Sequence, residues 1–336
     1  MTVVGPFGLS VRDQALEADV QAGMTAVEEG LLEATKSEVP FITEAAQHLV
    51  RAGGKRFRPL LVMLSAQFGD PYAPGVVPSA VVVELTHLAT LYHDDVMDAA
   101  AVRRGVPSAN TRWGNSVAVL TGDFLFARAS HILADLGPEA VRVQAEAFER
   151  LVTGQILETA GPQDGRDPVD HYLDVLSGKT GSLVAVSCRF GAMMAGADDT
   201  VVDVLTQYGE RLGVAFQFAD DVLDIASDSH ESGKTPGTDL REGIPTLPVL
   251  RLRERTARLG LAEDIALCEL LDSDLTDDDR HTEALRLLRA HPALEQARRD
   301  TVRYAEEARS TLAPLPECES KAALVELCDA VVHRAG

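Results

Sequence analysis

The 336-residue chain is 46% hydrophobic and 25% charged, the profile of a globular protein able to bury a large core. Its 31 Lys and Arg against 52 Asp and Glu give a formal charge of −21, a field that repels nucleic acid and anionic lipid surfaces and excludes both as expected partners. The N-terminal MTVVGPFGLSVRDQ has no basic start before an apolar run, Glu84 and Arg189 break the most apolar stretches, and Cys188, Cys268, Cys318 and Cys328 form no Cys-x-x-Cys pair, so the expectation is a cytoplasmic protein without a membrane span.

In chain order, apolar residues recurring every three or four positions predict helices over 10–35, 40–52, 56–69, 76–100, 115–135, 138–160, 168–178, 182–195, 199–227, 245–260, 280–290 and 293–312. Breakers separate them: Gly53-Gly54, Asp70-Pro71 with Pro74-Gly75, Gly105 with Pro107, Gly137-Pro138, Gly161-Pro162, and the long stretch from Ser227 to Pro245. Strand alternation is nearly absent and no linker separates independent parts. The expectation is therefore one all-α domain over 1–336, built as a helical bundle. The acidic run DSDLTDDD at 272–279 is expected to be a solvated connection.

Basic groups are concentrated at Arg51, Lys55, Arg56 and Arg58 and again at Arg103-Arg104, local exceptions at which an anion can bind an acidic chain. In GGKRFRP, at 53–59, the glycines allow close backbone approach while Lys55 and Arg58 clamp an anion. Two Asp-Asp-x-x-Asp clusters follow, Asp94-Asp95-x-x-Asp98 and Asp220-Asp221-x-x-Asp224, each expected mid-helix among apolar residues. Residues four apart share a helix face, so Asp94 pairs with Asp98 and Asp220 with Asp224. Like charges at that spacing need a cation, and a hard divalent ion such as Mg2+, which takes carboxylates together with substrate phosphate oxygens, is the natural one. By contrast, Asp198-Asp199 at a helix start is expected to be a cap. His87 lies seven residues, two helical turns, before Asp94 and so near the same face, while His93 is expected to be a packing residue.

With these motifs assembled, the chain resembles the trans-polyprenyl diphosphate synthases from Gly53 to about Pro248. The resemblance rests on GGKRFRP, on THLATLYHDDVMD at 86–98 with Arg103-Arg104-Gly105 following, on GKTGSL at 178–183, on FQFADDVLD at 216–224 and on GKTPGTDLREG at 233–243. It implies an all-α isoprenoid-synthase bundle around a deep central cavity, usually homodimeric, that condenses isopentenyl diphosphate with an allylic diphosphate. It implies Mg2+ as cofactor, three ions with substrate bound, with Asp94, Asp98, Asp220 and Asp224 as ligands and Asp95 and Asp221 completing the two catalytic clusters. Lys55, Arg58, His87 and Arg104 would bind the diphosphate of isopentenyl diphosphate, and Arg103 the allylic diphosphate. Lys179, Thr180, Gln217 and Lys234 would also contact the allylic diphosphate, with Lys179 and Lys234 counted as catalytic. Ile244 stands where many members carry a further lysine.

Ala89 and Thr90, about one turn before Asp94, occupy positions where aromatics in the family stop elongation near farnesyl length; both are small here, which predicts a longer product. Phe124 and Phe126 on a neighbouring helix are the candidates for a floor. A class I terpene cyclase would replace the second Asp cluster, and a non-catalytic subunit of a heteromeric synthase would degrade both; this chain keeps the two intact. A helical scaffold with solvated acidic clusters is the third alternative.

Overall fold

The computed structural model describes residues 2–4, 9–11, 13–163, 165–226 and 236–335. Two short antiparallel pairs, β1 (Thr2–Val4) with β2 (Leu9–Val11) and β3 (Val102–Arg103) with β4 (Val106–Pro107), are the strands among these residues. All else regular is helical. The helices are α1 (Gln14–Ala34), α2 (Pro40–Arg51), α3 (Phe57–Ala66), α4 (Val76–Met97), α5 (Ala109–Trp113), α6 (Asn115–Leu136), α7 (Pro138–Ala160) and α8 (Pro168–Leu176). A π-helical turn, Ser177–Gly181, joins α8 to α9 (Ser182–Met194), followed by α10 (Asp199–Ala226), α11 (Thr238–Arg241), α12 (Leu247–Leu259), α13 (Ala262–Leu271), α14 (Asp278–Ala290), α15 (Pro292–Thr311) and α16 (Glu319–Ala335).

Local chemistry sets several boundaries. Asp13 opens α1 by accepting the Ala15 N–H at 2.8 Å, Asp167 does the same for Val169 and Asp170 ahead of Pro168, and Asp277 caps α14 through the Arg280 N–H. Gly260 closes α12 in the left-handed region, φ 61°. The expected helices all form, and the short α5 and α11 together with α13 and α16 are additional to them. The acidic run 272–279 is more than a solvated connection: Asp272 pairs with Arg253 at 2.7 Å, Asp278 with Arg241 at 2.8 Å, and Asp277 is the cap of α14.

The chain groups into two compact units, one of Met1–Leu151, Ser182–Gly209 and Thr311–Val325, the other of Val152–Gly181, Glu210–Ser310 and Glu326–Gly336. In the first, α4 is the central helix, packed by α1, α3, α6 and α9. Its Val81, Val82, Val83, Leu85 and Leu88 are each at most 3% exposed, and burial of each such side chain contributes about 1.5–3 kcal/mol. At the contact of α3 with α9, a Cβ on Gly191 would lie 2.3 Å from the Val62 carbonyl oxygen, so only glycine admits this approach. α6 is the one described helix long and apolar enough to cross a membrane; about a third of it is buried, with Ala118, Leu125, Ala129 and Leu133 turned inward. In the second unit Phe218 is stacked beside Tyr172 at 6.0 Å and edge-on to Tyr304 at 4.8 Å. The fully buried Asp264 there is satisfied by Arg255 at 3.0 Å and His291 at 3.1 Å.

Candidate functional site

The first unit builds a basic nest around one buried acid. Glu84, 1% exposed on α4, takes the Arg56 guanidinium at 3.0 Å and lies 3.7 Å from that of Arg104. Arg56 also pairs with Glu28 at 2.5 Å and donates to the Val50 carbonyl at 2.9 Å, so it is spent on structure. Arg104 donates to the carbonyls of Leu49, at 3.0 Å, and Gly53. The Gly53-Gly54 pair therefore admits a side chain of the protein itself, since a Cβ on Gly54 would stand 2.7 Å from the Arg104 guanidinium carbon.

Arg58 and His87 complete the nest with charge left over. Burial, and then the neighbouring Arg104, push the Arg58 guanidinium down to about 10 against the pull of Glu84, and its Nε has no hydrogen-bond partner. Burial followed by Arg58 and Arg104 holds His87 well below the ordinary histidine range. A cluster whose members disfavour one another's charge is a site prepared for an anion, because a bound dianion relieves both repulsion and desolvation. Lys55 lies exposed at the edge of the same segment.

The Asp clusters are at helix ends, not mid-helix as the apolar flanks predict. α4 stops at Met97 with Asp98 as its C-cap, and Asp220–Asp224 occupy the last two turns of α10. Carboxylates there oppose the helix dipole at about 0.3–1 kcal/mol each, a placement that stability does not favour. Asp95 is fully buried; its Oδ1 accepts from Arg103 Nε at 2.6 Å, while its Oδ2 has no hydrogen-bond partner. Burial raises its pKa, opposed by Arg103. Asp94 is half-buried and Asp98 exposed. The hairpin β3–β4, absent from the sequence expectations, carries Arg103 to Asp95.

In the second unit, Asp221 is 3% exposed and accepts from the Tyr172 hydroxyl, from the Leu247 N–H at 3.0 Å and from Gln217 Nε2 at 3.3 Å. Burial outweighs these bonds and pushes it up to about 6. Asp220 meets Arg334 of α16 at 2.7 Å, and Arg334 lies over the Phe216 ring. Asp224 accepts the backbone N–H groups of Thr238 and Asp239. Lys179 and Thr180 sit on the π-helical turn, a local widening common at functional positions. Lys179 pairs with Glu158 at 2.6 Å, and the Thr180 hydroxyl reaches Gln217 Oε1 at 3.4 Å. A cavity of about 340 Å3 is lined by Tyr172, Lys179, Thr180, Gln217, Asp221 and Asp239, with Ile244 also at its wall. Lys234 and the neighbouring Gly233 lie outside the described residues.

Both clusters fit a hard divalent cation. Their donors are carboxylate oxygens, the hard ligands such an ion takes, and Asp95 Oδ2 is a buried acceptor without a hydrogen-bond partner. Among the described residues no three His, Cys, Asp or Glu side chains form a ready-made metal cage.

Below the first cluster, Ala89 is fully buried, whereas Thr90 is half-buried and donates to the His87 carbonyl at 2.8 Å. His93 packs on α6, with Nε2 at 3.1 Å from the Val119 carbonyl and its ring beside Phe126, which meets Phe148 at 4.4 Å. Arg56, expected among the anion-binding groups, is instead held by Glu28 and Glu84. Sequence reasoning missed Tyr172, Glu158, Arg334 and the role of Glu84, and of these only Glu84 left a signal, as the acid that interrupts an apolar run.

An all-helical fold with a basic nest and two Asp-x-x-x-Asp faces defines a class of enzymes acting on diphosphates. The sequence profile of the polyprenyl synthetase family matches residues 39–288. The nonaprenyl diphosphate synthase of Mycobacterium tuberculosis is 48% identical over 332 residues, covering 98% of this chain and 97% of that one. Among solved structures, the geranylgeranyl pyrophosphate synthase of Corynebacterium glutamicum, complexed with calcium and isoprenyl diphosphate, superposes with a TM-score of 0.87 at 43% identity, over 97% of this chain and 99% of that one. The decaprenyl diphosphate synthase of Rhodobacter capsulatus does so with a TM-score of 0.86 at 35% identity, over 96% and 99%. The chain belongs to the polyprenyl synthetase family: it is a prenyltransferase that condenses isopentenyl diphosphate with an allylic diphosphate to give a polyprenyl diphosphate.

Proposed function

We propose that the enzyme extends an allylic diphosphate beyond farnesyl length, using Mg2+, three ions with substrate bound. The observation that carries this reading is the nest of Arg58, His87 and Arg104, two turns along α4 from Asp94, in a chain that is otherwise strongly acidic. Lys55, Arg58, His87 and Arg104 hold the diphosphate of isopentenyl diphosphate, where charge-assisted bonds to guanidinium groups orient the molecule. Arg103, Lys179, Thr180, Gln217 and Lys234 hold the allylic diphosphate. Asp94, Asp98, Asp220 and Asp224 are the Mg2+ ligands; Asp95, fixed on Arg103, and Asp221, fixed by Tyr172 and Leu247, set the direction of each cluster.

Bound Mg2+ supplies positive charge to the departing diphosphate. Arg103 and Lys179 add to that charge, and Lys179 exchanges Glu158 for the substrate as it does so. The allylic C–O bond then ionises, the isopentenyl double bond attacks the cation, and the freed diphosphate accepts the proton that is lost. Apolar walls that exclude water protect the cation, and no side chain is needed as a general base. The small residues Ala89 and Thr90 support a product longer than farnesyl, as do the names of the nonaprenyl and decaprenyl relatives.

The whole chain acts as one synthase domain, since neither compact unit is a continuous segment and the chain passes between them within α7 and α10. It works as a cytoplasmic homodimer. The exposed stripe of α6, with Leu120 66% and Val119 38% exposed beside Ala127 and Ala134, supports pairing. The test is incubation with isopentenyl diphosphate, a series of allylic primers and Mg2+, followed by chromatography of the product chains. Products beyond farnesyl are expected, with turnover lowered about 100- to 1,000-fold in Asp94→Asn. Absence of elongated products from every primer overturns the reading.

A further inference from the structure

The third carboxylate of the second cluster is tied to a turn that is itself held from far along the chain. Asp224 Oδ1 accepts the Thr238 N–H at 3.2 Å, Oδ2 the Asp239 N–H at 3.3 Å, and its carbonyl the Gly237 N–H at 2.8 Å. Gly237 adopts φ +69°, and the Nε2 of His281, on α14, donates to its carbonyl at 2.8 Å. His281 is 5% exposed, and a Cβ on Gly237 would come within 2.8 Å of its Nε2 and 3.3 Å of Leu285. α14 is also fastened to α11, because Arg241 pairs with Asp278 at 2.8 Å and donates to the Thr276 carbonyl at 3.3 Å. The acidic run and α14 thus grip the turn from outside, and the turn grips Asp224 with three backbone N–H groups.

We propose that His281 is a positioning residue for Asp224, acting through the turn Gly237–Asp239. The carbonyl of Gly237 needs a donor, and His281 supplies it from a rigid helix, so the Thr238 and Asp239 N–H groups stay aimed at the carboxylate. Without that donor the turn is free to rotate, and Asp224 loses the two bonds that fix both of its oxygens. The same turn carries Asp239 to the wall of the cavity that holds Lys179, Thr180 and Gln217. The inference rests on the proposed role of Asp224 as a Mg2+ ligand, and it assigns to α14 a part in the reaction that none of the sequence motifs contains.

The test uses the full chain with His281→Leu and His281→Gln, the latter keeping an amide N–H near the position of Nε2. Two readouts are taken: the rise in Tm with Mg2+ at fixed pyrophosphate, and the separate KM values for isopentenyl diphosphate and the allylic substrate. His281→Leu is expected to need about tenfold more Mg2+ for half of the Tm rise, the scale on which partners of metal ligands tune affinity. Its KM for isopentenyl diphosphate stays unchanged while that for the allylic substrate rises, and His281→Gln restores both. A folded His281→Leu protein with wild-type Mg2+ dependence overturns the inference, as does a uniform loss that His281→Gln does not rescue. Should His281→Leu fail to fold, His281→Asn, whose shorter amide falls short of the carbonyl, replaces it against His281→Gln with the same outcomes. A wild-type chain that gains no stability from Mg2+ and pyrophosphate, yet elongates primers, overturns the metal assignment of Asp224 and this inference with it, leaving the prenyl transfer itself standing.

Discussion

At the residue scale, the nest makes a pH prediction whose sign follows from His87. Free histidine titrates near 6.5, whereas His87 in the folded chain stays neutral well below that value, because of burial first and Arg58 and Arg104 next. Protons are therefore taken up first by the unfolded state, and the stability present above pH ~6.5 is lost as pH falls from there towards the folded value. Chemical denaturation of the wild type and His87→Gln across about pH 5 to 7 is expected to show a shallower loss in the variant. Equal slopes would mean that His87 titrates as an ordinary surface group. Arg58, pushed down only to about 10, remains charged throughout this range and is available to an anion.

At the element scale, the helices were legible because α4, α9 and α10 carry apolar residues on a helical period. What the period does not show is where a helix stops when the next residues are also acceptable helix formers. Asp98 as a C-cap, Ala99 at φ 48° and the hairpin at 102–107 end α4 three residues before the apolar pattern suggests. The pairing of Arg56 with Glu84 and the bond from Tyr172 to Asp221 were illegible for another reason. Residues 28 and 49 positions apart meet only through packing, which no local pattern encodes. The same packing separates the two candidate chain-length positions. Ala89 is sealed among neighbouring side chains, so Ala89→Phe overpacks and is expected to lower stability by about 1–3 kcal/mol. Thr90 faces partly open space, so Thr90→Phe is expected to fold and to shorten the product towards farnesyl. Thermal melts and product chromatography on the pair check both halves, and an unshortened product from a folded Thr90→Phe would remove Thr90 as a length determinant.

At the scale of the whole molecule, α6 exposes an apolar face that includes Leu120 and Val119, and the proposed homodimer would cover it with a second copy. Leu120→Arg is accordingly expected to shift sedimentation from dimer to monomer, and an unchanged sedimentation coefficient would place the contact elsewhere. The nest of Arg58, His87 and Arg104 has a kinetic corollary when set against a net charge of −21. An approaching diphosphate meets repulsion at long range and attraction only over the last few ångströms, and these two fields are screened at different ionic strengths: a Debye length of about 30 Å at 0.01 M shrinks to about 10 Å at 0.1 M. Added salt should first quicken substrate capture by hiding the acidic exterior, then slow it once the screening length reaches the arginines themselves. Stopped-flow capture rates that decline from the lowest salt onward would show that the enzyme's surface as a whole plays no part in the encounter.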